Sequence, residues 1–356
     1  MIFFVFLVIL VFNTMKLQFV VSNQTNPYWN IAVENYLVEH ADGIVLYLWR
    51  NRRTVVIGQN QNPFGECNVE ALEADGGYLM RRKTGGGAVY HDDGNLNFSF
   101  VVPKALYDQQ RQFRVIQRAV ESFGLHTELS GRNDILVECP NESSTDAITQ
   151  SRIHAFRKFS GNAFSKGRFN DLHHGTILIK GNMEDLARYL KPKPAKLQKH
   201  GVSSVQSRVV NLSELNAAIT TESLGPRLKD AFVEEYKGTD SFNSQFSILN
   251  FDDLIGRPEV RALYEEFASD EWRFGRWRSF TAQHSAQFDW GGVELQLTVD
   301  QEHGVVTDVQ ISSDALDLAA LDEARRLLIG ASTAVAPQSD SPIVRDILLM
   351  AYGQNI

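Results

Sequence analysis

The sequence has few cysteines, no excess of positive charge and a single long apolar run. Its two cysteines, Cys67 and Cys139, provide neither a disulfide framework nor the spacing of a zinc site. Acidic residues outnumber basic ones, 43 to 35, and the formal net charge of −8 argues against nucleic acid as the main partner. This cysteine content is typical of a reducing compartment, so we expect a cytoplasmic protein.

The apolar run is the N-terminal segment MIFFVFLVILVFNT, residues 1–14. It is short for a membrane-spanning helix, has no basic residues before it and is not followed by a small-residue cleavage site. We therefore expect an extension or a misassigned start, with the natural start at Met15 and a membrane anchor as the alternative. Membrane association is otherwise not expected.

The length of 356 residues favours two domains. Strand and helix patterns alternate irregularly up to about residue 250, which predicts an α+β fold with a mixed sheet rather than a regular parallel one. The pattern then weakens, and a second, smaller α+β unit follows. We expect a large domain over residues 15–250 and a small one over residues 251–356.

A glycine-rich segment, RRKTGGGAVYHDDGNLNF, extends from Arg81 to Phe98. Consecutive glycines let backbone N–H groups point into one concavity, and the basic run before them supplies positive charge for an anion. A P-loop would have Lys-Ser/Thr after its glycines, whereas Ala88, Val89 and Tyr90 follow here. The segment therefore predicts an anion-binding loop between two strands, with a flexible surface turn as the alternative.

Lys158 lies in the segment RKFSGNAF, which has the pattern of an apolar strand. A buried ammonium group is costly unless an anion meets it, so Lys158 is a candidate ligand-binding charge. The alternative is the solvent face of an edge strand. Asn133 and Asp134 precede another strand, where they could orient Lys158 or a metal-bound phosphate, or only form a turn.

Two further features suggest ligand binding less directly. His173 and His174 are adjacent on a predicted strand, so they point to opposite faces and cannot share one metal ion. A structural or indirect role is the better interpretation. The Lys-rich stretch of residues 188–208 is either a solvated loop or a mobile basic lid over a phosphate.

These motifs together resemble the lipoate-protein ligases. The similarity covers nearly the whole chain from Met15 and includes, in order, LWRNRRTVVIGQNQNP, the triple-glycine segment, GRNDI, RKFSGNAF, HHGTILI, GVSSVQSRVVNL and WGGVEL. The resemblance implies a catalytic domain related in fold to biotin ligases, followed by a small accessory domain. It also implies that ATP and lipoate react to lipoyl-AMP, from which a carrier lysine takes the lipoyl group.

The resemblance also implies roles for individual residues. Lys158 would be the catalytic residue and would contact both lipoate and the α-phosphate, and the nucleotide would also meet Arg82, Gly87, Ala88, Val89 and Tyr90. Further candidates are Gly85, Gly86, Asn133, Asp134 and His174. We expect Mg²⁺ on the pyrophosphate. The expected partners are apo lipoyl carrier domains, namely E2 subunits of 2-oxoacid dehydrogenases and the glycine cleavage H protein.

Two other functions stay open at this point. An octanoyl or lipoyl transferase would use a cysteine nucleophile without ATP, and Cys139 follows a strand near the expected site. A non-catalytic protein that binds lipoyl carriers is the other possibility. Biotin ligation is disfavoured, because biotin ligases have a Gly-Arg-Gly-Arg segment where this chain has Arg-Lys-Thr-Gly-Gly-Gly.

Overall fold

The computed structural model describes residues 15–131, 133–140, 155–191, 209–237, 245–274, 282–300, 304–333 and 335–352. The N-terminal apolar segment, the polar insertion of residues 141–154 and most of the Lys-rich stretch lie outside the described residues. Within these ranges, no helix combines the length and the apolar character needed to cross a membrane.

The described residues form three sheets. The bounds of their strands are β1 (Lys16–Val21), β2 (Ile44–Trp49), β3 (Thr54–Ile57), β4 (Tyr78–Arg81), β5 (Val89–His91), β6 (Asn95–Pro103), β7 (Thr127–Ser130), β8 (Asp134–Cys139), β9 (Ala155–Lys166), β10 (Asn170–Leu178), β11 (Gln245–Ile248), β12 (Ala282–Phe288), β13 (Gly291–Asp300) and β14 (Val305–Ser313). The large sheet has the order β11-β1-β2-β6-β10-β9-β8-β7. Strand β1 is parallel to β11 and β2, and the other neighbours are antiparallel. The expected mixed sheet is confirmed.

The helices are α1 (Pro27–His40), α2 (Pro63–Glu66), α3 (Val69–Ala74), α4 (Gln109–Glu121), α5 (Met183–Tyr189), α6 (Leu212–Leu215), α7 (Thr221–Lys237), α8 (Phe251–Ile255), α9 (Pro258–Ala268), α10 (Asp270–Phe274), α11 (Leu318–Leu328) and α12 (Pro342–Tyr352). Helices α4 and α7 cover one face of the large sheet, and α1, α8 and α9 cover the other. Strand β2 is therefore buried on both faces, which explains its continuous apolar sequence IVLYLW.

Two small sheets flank the large one. In the first, β3 lies between β4, to which it is parallel, and β5, to which it is antiparallel. The second is the antiparallel sheet β12-β13-β14, and α11 and α12 pack on it around a separate apolar core. Both small sheets lie beside the α1 face of the large sheet, where the cavity described below is found.

Residues 251–274, expected in the small domain, pack in the large unit. Phe251, Val260 and Phe267 are at most 3% exposed and share a core with Ile31 of α1 and Tyr47 of β2. Strand β11, just before them, pairs with β1. We therefore propose a domain boundary between residues 274 and 282, rather than after residue 250.

Glycine at position 175 is required by close packing in the middle of β10. A Cβ atom there would lie 2.7 Å from the ring of Phe98, 2.7 Å from Oδ1 of Asn162 and 2.8 Å from the carbonyl oxygen of Gly161. We predict that Gly175→Ala lowers the free energy of unfolding by about 1–3 kcal/mol in urea titrations, because buried neighbours must shift. Gly65→Ala is the control, since its Cβ would meet nothing nearer than 3.7 Å. An equal effect of the two changes would contradict this packing argument.

Candidate active site

A cavity of about 550 Å³ opens on the α1 face of the large sheet. Its floor is a row of residues that are paired in register across neighbouring strands. Trp49 on β2 pairs with Asn97 on β6, and Asn97 pairs with Thr176 on β10. The row continues on β9 with Gly161, which pairs with Asp134 on β8. Because paired residues project from the same face of a sheet, all five line the cavity. The floor thus has an aromatic end at Trp49 and a charged end at Asp134.

Lys158 reaches this face through a β-bulge. Gly161 pairs with Asp134, but Lys158 pairs with Leu136, so β9 has one more residue than β8 in this interval. Lys158 and Gly161 would lie on opposite faces of a regular strand, and the extra residue returns Lys158 to the cavity side. The alternative that Lys158 is on an edge strand is wrong, because β9 lies between β8 and β10.

Lys158 forms an ion pair at the cavity wall. Its Nζ lies 2.6 Å from Oδ1 of Asp134, and each side chain is 35% exposed. The ammonium group lies over Gly161, where a Cβ would approach Nζ to 3.0 Å. Asn133 and Asn162 fix the adjacent turn, because the Nδ2 of each donates to the carbonyl oxygen of the other, at 2.9 and 3.0 Å. The ammonium group therefore meets the cavity in a fixed position.

Arg82 organises the glycine-rich loop from beneath. Its guanidinium donates to the carbonyl oxygens of Gly85 at 2.7 Å and Gly87 at 2.9 Å, and Nε donates to Oγ1 of Thr84 at 3.0 Å. Gly86 between them has φ of +95°, a conformation that favours glycine. The N–H groups of Gly87 and Ala88 find no acceptor in the part of the chain that the structure describes. The loop therefore turns carbonyls toward Arg82 and leaves N–H groups for a ligand.

A buried chain of hydrogen bonds connects Arg82 to Glu34. Thr84 accepts from Arg82 and contacts Nε2 of His174 at 2.8 Å, and Nδ1 of His174 lies 2.7 Å from a carboxylate oxygen of Glu34. Glu34 has no exposed surface. Because a carboxylate accepts and does not donate, Nδ1 of His174 carries a proton and donates it to Glu34. The expected indirect role of His174 fits this position.

Burial determines the charge states of Arg82 and of His91, which lie near this series of hydrogen bonds. It lowers the pKa of Arg82 to about 10, and the Glu34 carboxylate opposes that shift. It also lowers the pKa of His91, at the cavity wall, to about 3, with the positive charge of Arg82 and then His174 acting in the same direction. His91 is therefore neutral at physiological pH, whereas Arg82 keeps its charge.

The small C-terminal unit closes one side of the cavity. The N–H of Gly86 donates to the carbonyl oxygen of Ala315 at 3.0 Å, and the N–H of Ser313 donates to that of Asn60 at 2.8 Å. A Cβ at position 85 would lie 2.2 Å from the same Ala315 oxygen, so Gly85 is in contact with this unit. The segment 287–291, which includes Trp290 and Gly291 of the WGGVEL motif, lines the cavity.

Some expected site residues face elsewhere. Val89 lines the cavity, but the next side chain along β5, that of Tyr90, points to the opposite side and donates to Asp185 at 3.2 Å. Only the backbone of Tyr90 is therefore available to a nucleotide in this cavity. Cys139 is 5% exposed and does not line the cavity, and burial raises the pKa of its thiol. Those properties do not suit a cysteine nucleophile.

The sequence analysis did not identify four site residues: Glu34, Thr84, Asn97 and Ser99, which is the hydrogen-bond partner of Trp49. Trp49 Nε1 donates to Oγ of Ser99 at 2.9 Å, and Ser99 contacts Glu34 at 3.4 Å. Glu34 carries no periodic signal, since α1 is buried on nearly all sides. A buried acid in such a helix is identifiable only when its partner from another strand is known.

Comparisons with known proteins agree with this arrangement. The lipoyl protein ligase A/B catalytic domain matches residues 26–233, and the bacterial lipoate protein ligase C-terminus matches residues 278–336. A lipoate-protein ligase A from Psychrobacter cryohalolentis is 39% identical over 312 residues, 86% of each chain. The chain belongs to the lipoyl protein ligase A/B family.

Solved structures share the fold. P. falciparum LipL1 in complex with lipoate has a TM-score of 0.76 at 27% identity, with 95% of this chain and 100% of that chain covered. A bipartite lipoate protein ligase with its E2 lipoyl domain from Thermoplasma acidophilum has a TM-score of 0.59 at 22% identity, covering 76% and 99%. A lipoate-protein ligase A bound with ATP has a TM-score of 0.55 at 23% identity, covering 74% and 99%.

Glu34 should be essential to the buried chain. We predict that Glu34→Ala lowers the free energy of unfolding by about 3 kcal/mol or more, because it leaves buried polar groups without a partner. Glu34→Gln should cost less, since its amide oxygen still accepts from His174. Glu39→Ala, an exposed change on the same helix, is the control for chemical denaturation. Equal losses for Glu34→Ala and Glu39→Ala would contradict the role assigned to Glu34.

His91 predicts a specific pH dependence. The pKa of His91 is lowered in the folded state. When the pH falls below the ordinary pKa of 6.5, the unfolded chain therefore binds a proton that the native protein does not, and the free energy of unfolding decreases. The difference in unfolding free energy between the native protein and His91→Phe should shrink by about 1 kcal/mol from about pH 7.5 to about pH 5.5. A difference that stays constant over this range would rule out a neutral buried His91.

Proposed function

We propose that the protein joins lipoate to a specific lysine of a lipoyl carrier domain, using ATP and a lipoyl-AMP intermediate. One observation carries the proposal. The same cavity is lined by Lys158, by Gly87 and Ala88, whose N–H groups have no acceptor among the described residues, and by a floor that continues to Trp49. The ammonium group and the N–H groups suit a carboxylate and phosphates, and the floor toward Trp49 suits an acyl chain.

The chemistry of adenylation fits these residues. A carboxylate and the α-phosphate repel each other, so the catalyst must align them and neutralise charge, and no protein nucleophile is needed. Lys158 is the proposed catalytic residue, a point charge that contacts both groups as the carboxylate oxygen attacks phosphorus and pyrophosphate leaves. Gly87 and Ala88 would donate backbone hydrogen bonds to phosphate, and Arg82 would act by holding their loop.

A divalent cation fits the charged end of the cavity. Among the described residues there is no cluster of three or more His, Cys, Asp or Glu side chains that could hold a metal ion by itself. Mg²⁺ commonly uses one or two carboxylates together with substrate phosphates, and Asp134, with the Asn133 amide, could supply such oxygen ligands. Bound there, Mg²⁺ would neutralise charge on the leaving pyrophosphate.

In the second step, the amine of the carrier lysine attacks the carbonyl carbon of lipoyl-AMP and AMP leaves. The proposed carriers are E2 subunits of 2-oxoacid dehydrogenases and the glycine cleavage H protein, and the proposed location is the cytoplasm. The relative named lipoate-protein ligase A and the lipoate complex of LipL1 support lipoate as the acid that is attached. A cysteine-dependent transferase is disfavoured because Cys139 is buried and does not line the cavity.

Lys158 should be essential for the first step. We predict that Lys158→Ala lowers lipoate-dependent ATP-pyrophosphate exchange by a factor of at least about 100, because a charge that stabilises the transition state is lost. Lys166→Ala is the matched control, since Lys166 is an exposed residue of the same strand and does not line the cavity.

The rival functions give different results in this assay. A transferase that works without ATP shows no exchange, so lipoyl or octanoyl transfer without exchange in the native protein, lost in Cys139→Ser, would refute the ligase assignment. An absence of both exchange and transfer in the native protein would favour a protein that binds carriers without this chemistry.

A further inference from the structure

Strand β9 separates from β10 close to Lys158. The pairing of the two strands extends only to Asn162, which lies opposite Gly175. The N–H of the preceding residue, Gly161, donates to the side-chain Oγ1 of Thr176 at 3.3 Å. The ladder between β9 and β10 therefore does not extend to Lys158, and another part of the chain lies beside that residue.

The segment of residues 209–211 takes the place of β10 beside Lys158. Lys158 forms an isolated parallel β-bridge with Val209, and the N–H of Val210 donates to the carbonyl oxygen of Lys158 at 3.0 Å. On its other side, Lys158 pairs with Leu136 of β8. The backbone of Lys158 is thus held from both sides at a β-bulge, where the regular ladder is disrupted.

Asn211 fastens the 209–211 segment to the turn that follows β10. Its Oδ1 accepts from the N–H of Gly181 at 2.8 Å, and its Nδ2 donates to the carbonyl oxygen of Gly181 at 3.3 Å and to Oε1 of Glu214 at 2.7 Å. The N–H of Ser213 donates to the carbonyl oxygen of Ile179 at 3.0 Å. Because Asn211 is only 7% exposed, water does not readily replace these hydrogen bonds.

The side chain of Asn211 joins two segments rather than capping a helix. Asn211 precedes helix α6, and the side-chain oxygen of an N-cap residue accepts from the N–H of the second or third helical residue. Among the described residues, Asn211 makes no such hydrogen bond to α6. Its amide oxygen accepts from Gly181 instead, which connects the 209–211 segment to the large sheet.

The proposed adenylation step depends on where the ammonium group of Lys158 lies. That group has to meet both a carboxylate and a phosphate, and such contacts require positions accurate to about 0.5 Å. The four-carbon stem of a lysine is flexible, so the backbone position and the ion pair with Asp134 determine where the charge lies. A backbone shift at the bulge would therefore displace the ammonium group.

We propose that Asn211 is a positioning residue for Lys158. By fastening the 209–211 segment, it maintains the hydrogen bond from Val210 to the Lys158 carbonyl group, and with it the backbone from which the ammonium group extends. Asn211 does not line the cavity, so it acts through Lys158 and not on the substrates. This assignment rests on the proposed function.

The test is a double-mutant cycle measured by lipoate-dependent ATP-pyrophosphate exchange. We expect Asn211→Ala to lower kcat about tenfold, because a displaced charge stabilises the transition state less. In the Lys158→Ala background, with residual exchange measured at higher protein concentration, the same change should lower kcat less than about twofold. Residues that act as one unit are non-additive in this way, whereas a general loss of structure affects both backgrounds equally.

Asn216→Ala is the matched control at the other end of α6. It also removes side-chain hydrogen bonds, one to the carbonyl oxygen of Phe123 and one from the N–H of Ala218, and neither partner contacts Lys158. We expect its kcat to stay within about twofold of the native value.

Asn211→Asp is the second variant, for use if Asn211→Ala does not fold. A carboxylate still accepts from the N–H of Gly181 but cannot donate to its carbonyl oxygen, so the loss in kcat should be smaller. That loss should also disappear in the Lys158→Ala background.

Three results would overturn the assignment: equal losses in the two backgrounds, an unchanged kcat in folded Asn211→Ala, or an equal loss in Asn216→Ala. If the native protein shows no lipoate-dependent exchange, the proposed function fails, and the assignment fails with it.

Discussion

The burial of the Arg82 guanidinium is the constraint on which the site depends. A charge removed from water needs acceptors, and Arg82 finds them in the carbonyl groups of the glycine loop and in Thr84. This arrangement shapes the loop, which lines the cavity with Gly87 and Ala88, whose N–H groups have no acceptor in the part of the chain that the structure describes. Through Thr84 and His174 it continues to Glu34, and through Ser99 to Trp49, so one buried network supports both the loop and the floor.

The large sheet supplies the second half of the site. Its antiparallel strands align Trp49, Asn97, Thr176 and Gly161 in one row, and the β-bulge adds Lys158 at the end. An acyl chain can follow such a row, because sheet register places one side chain on each strand at similar height. A rigid sheet positions these groups better than loops would, which suits a reaction that depends on alignment.

How much the sequence could predict differs between these parts. The glycine loop is a local pattern, and the sequence analysis identifies it from its glycines and the basic run before them. The start of α1 is also a local pattern, since the Asn26 side chain accepts from the N–H of Tyr28 as a helix cap should. Lys158 was found because a lysine in an apolar strand is unusual. The β-bulge at Lys158 could not be predicted, because the register of β9 depends on a strand that is distant in the sequence. The boundary between the domains is harder to place from the sequence, because α8 and α9 have ordinary amphipathic patterns that do not reveal which core they join.

The central claim is that this cavity activates lipoate with ATP for transfer to a carrier. Mass spectrometry of an apo lipoyl carrier domain incubated with the protein, lipoate, ATP and Mg²⁺ tests it most directly. The account predicts a gain of one lipoyl mass on a single lysine, and no gain when ATP is omitted. Modification that proceeds without ATP, or none in the complete mixture, would contradict it.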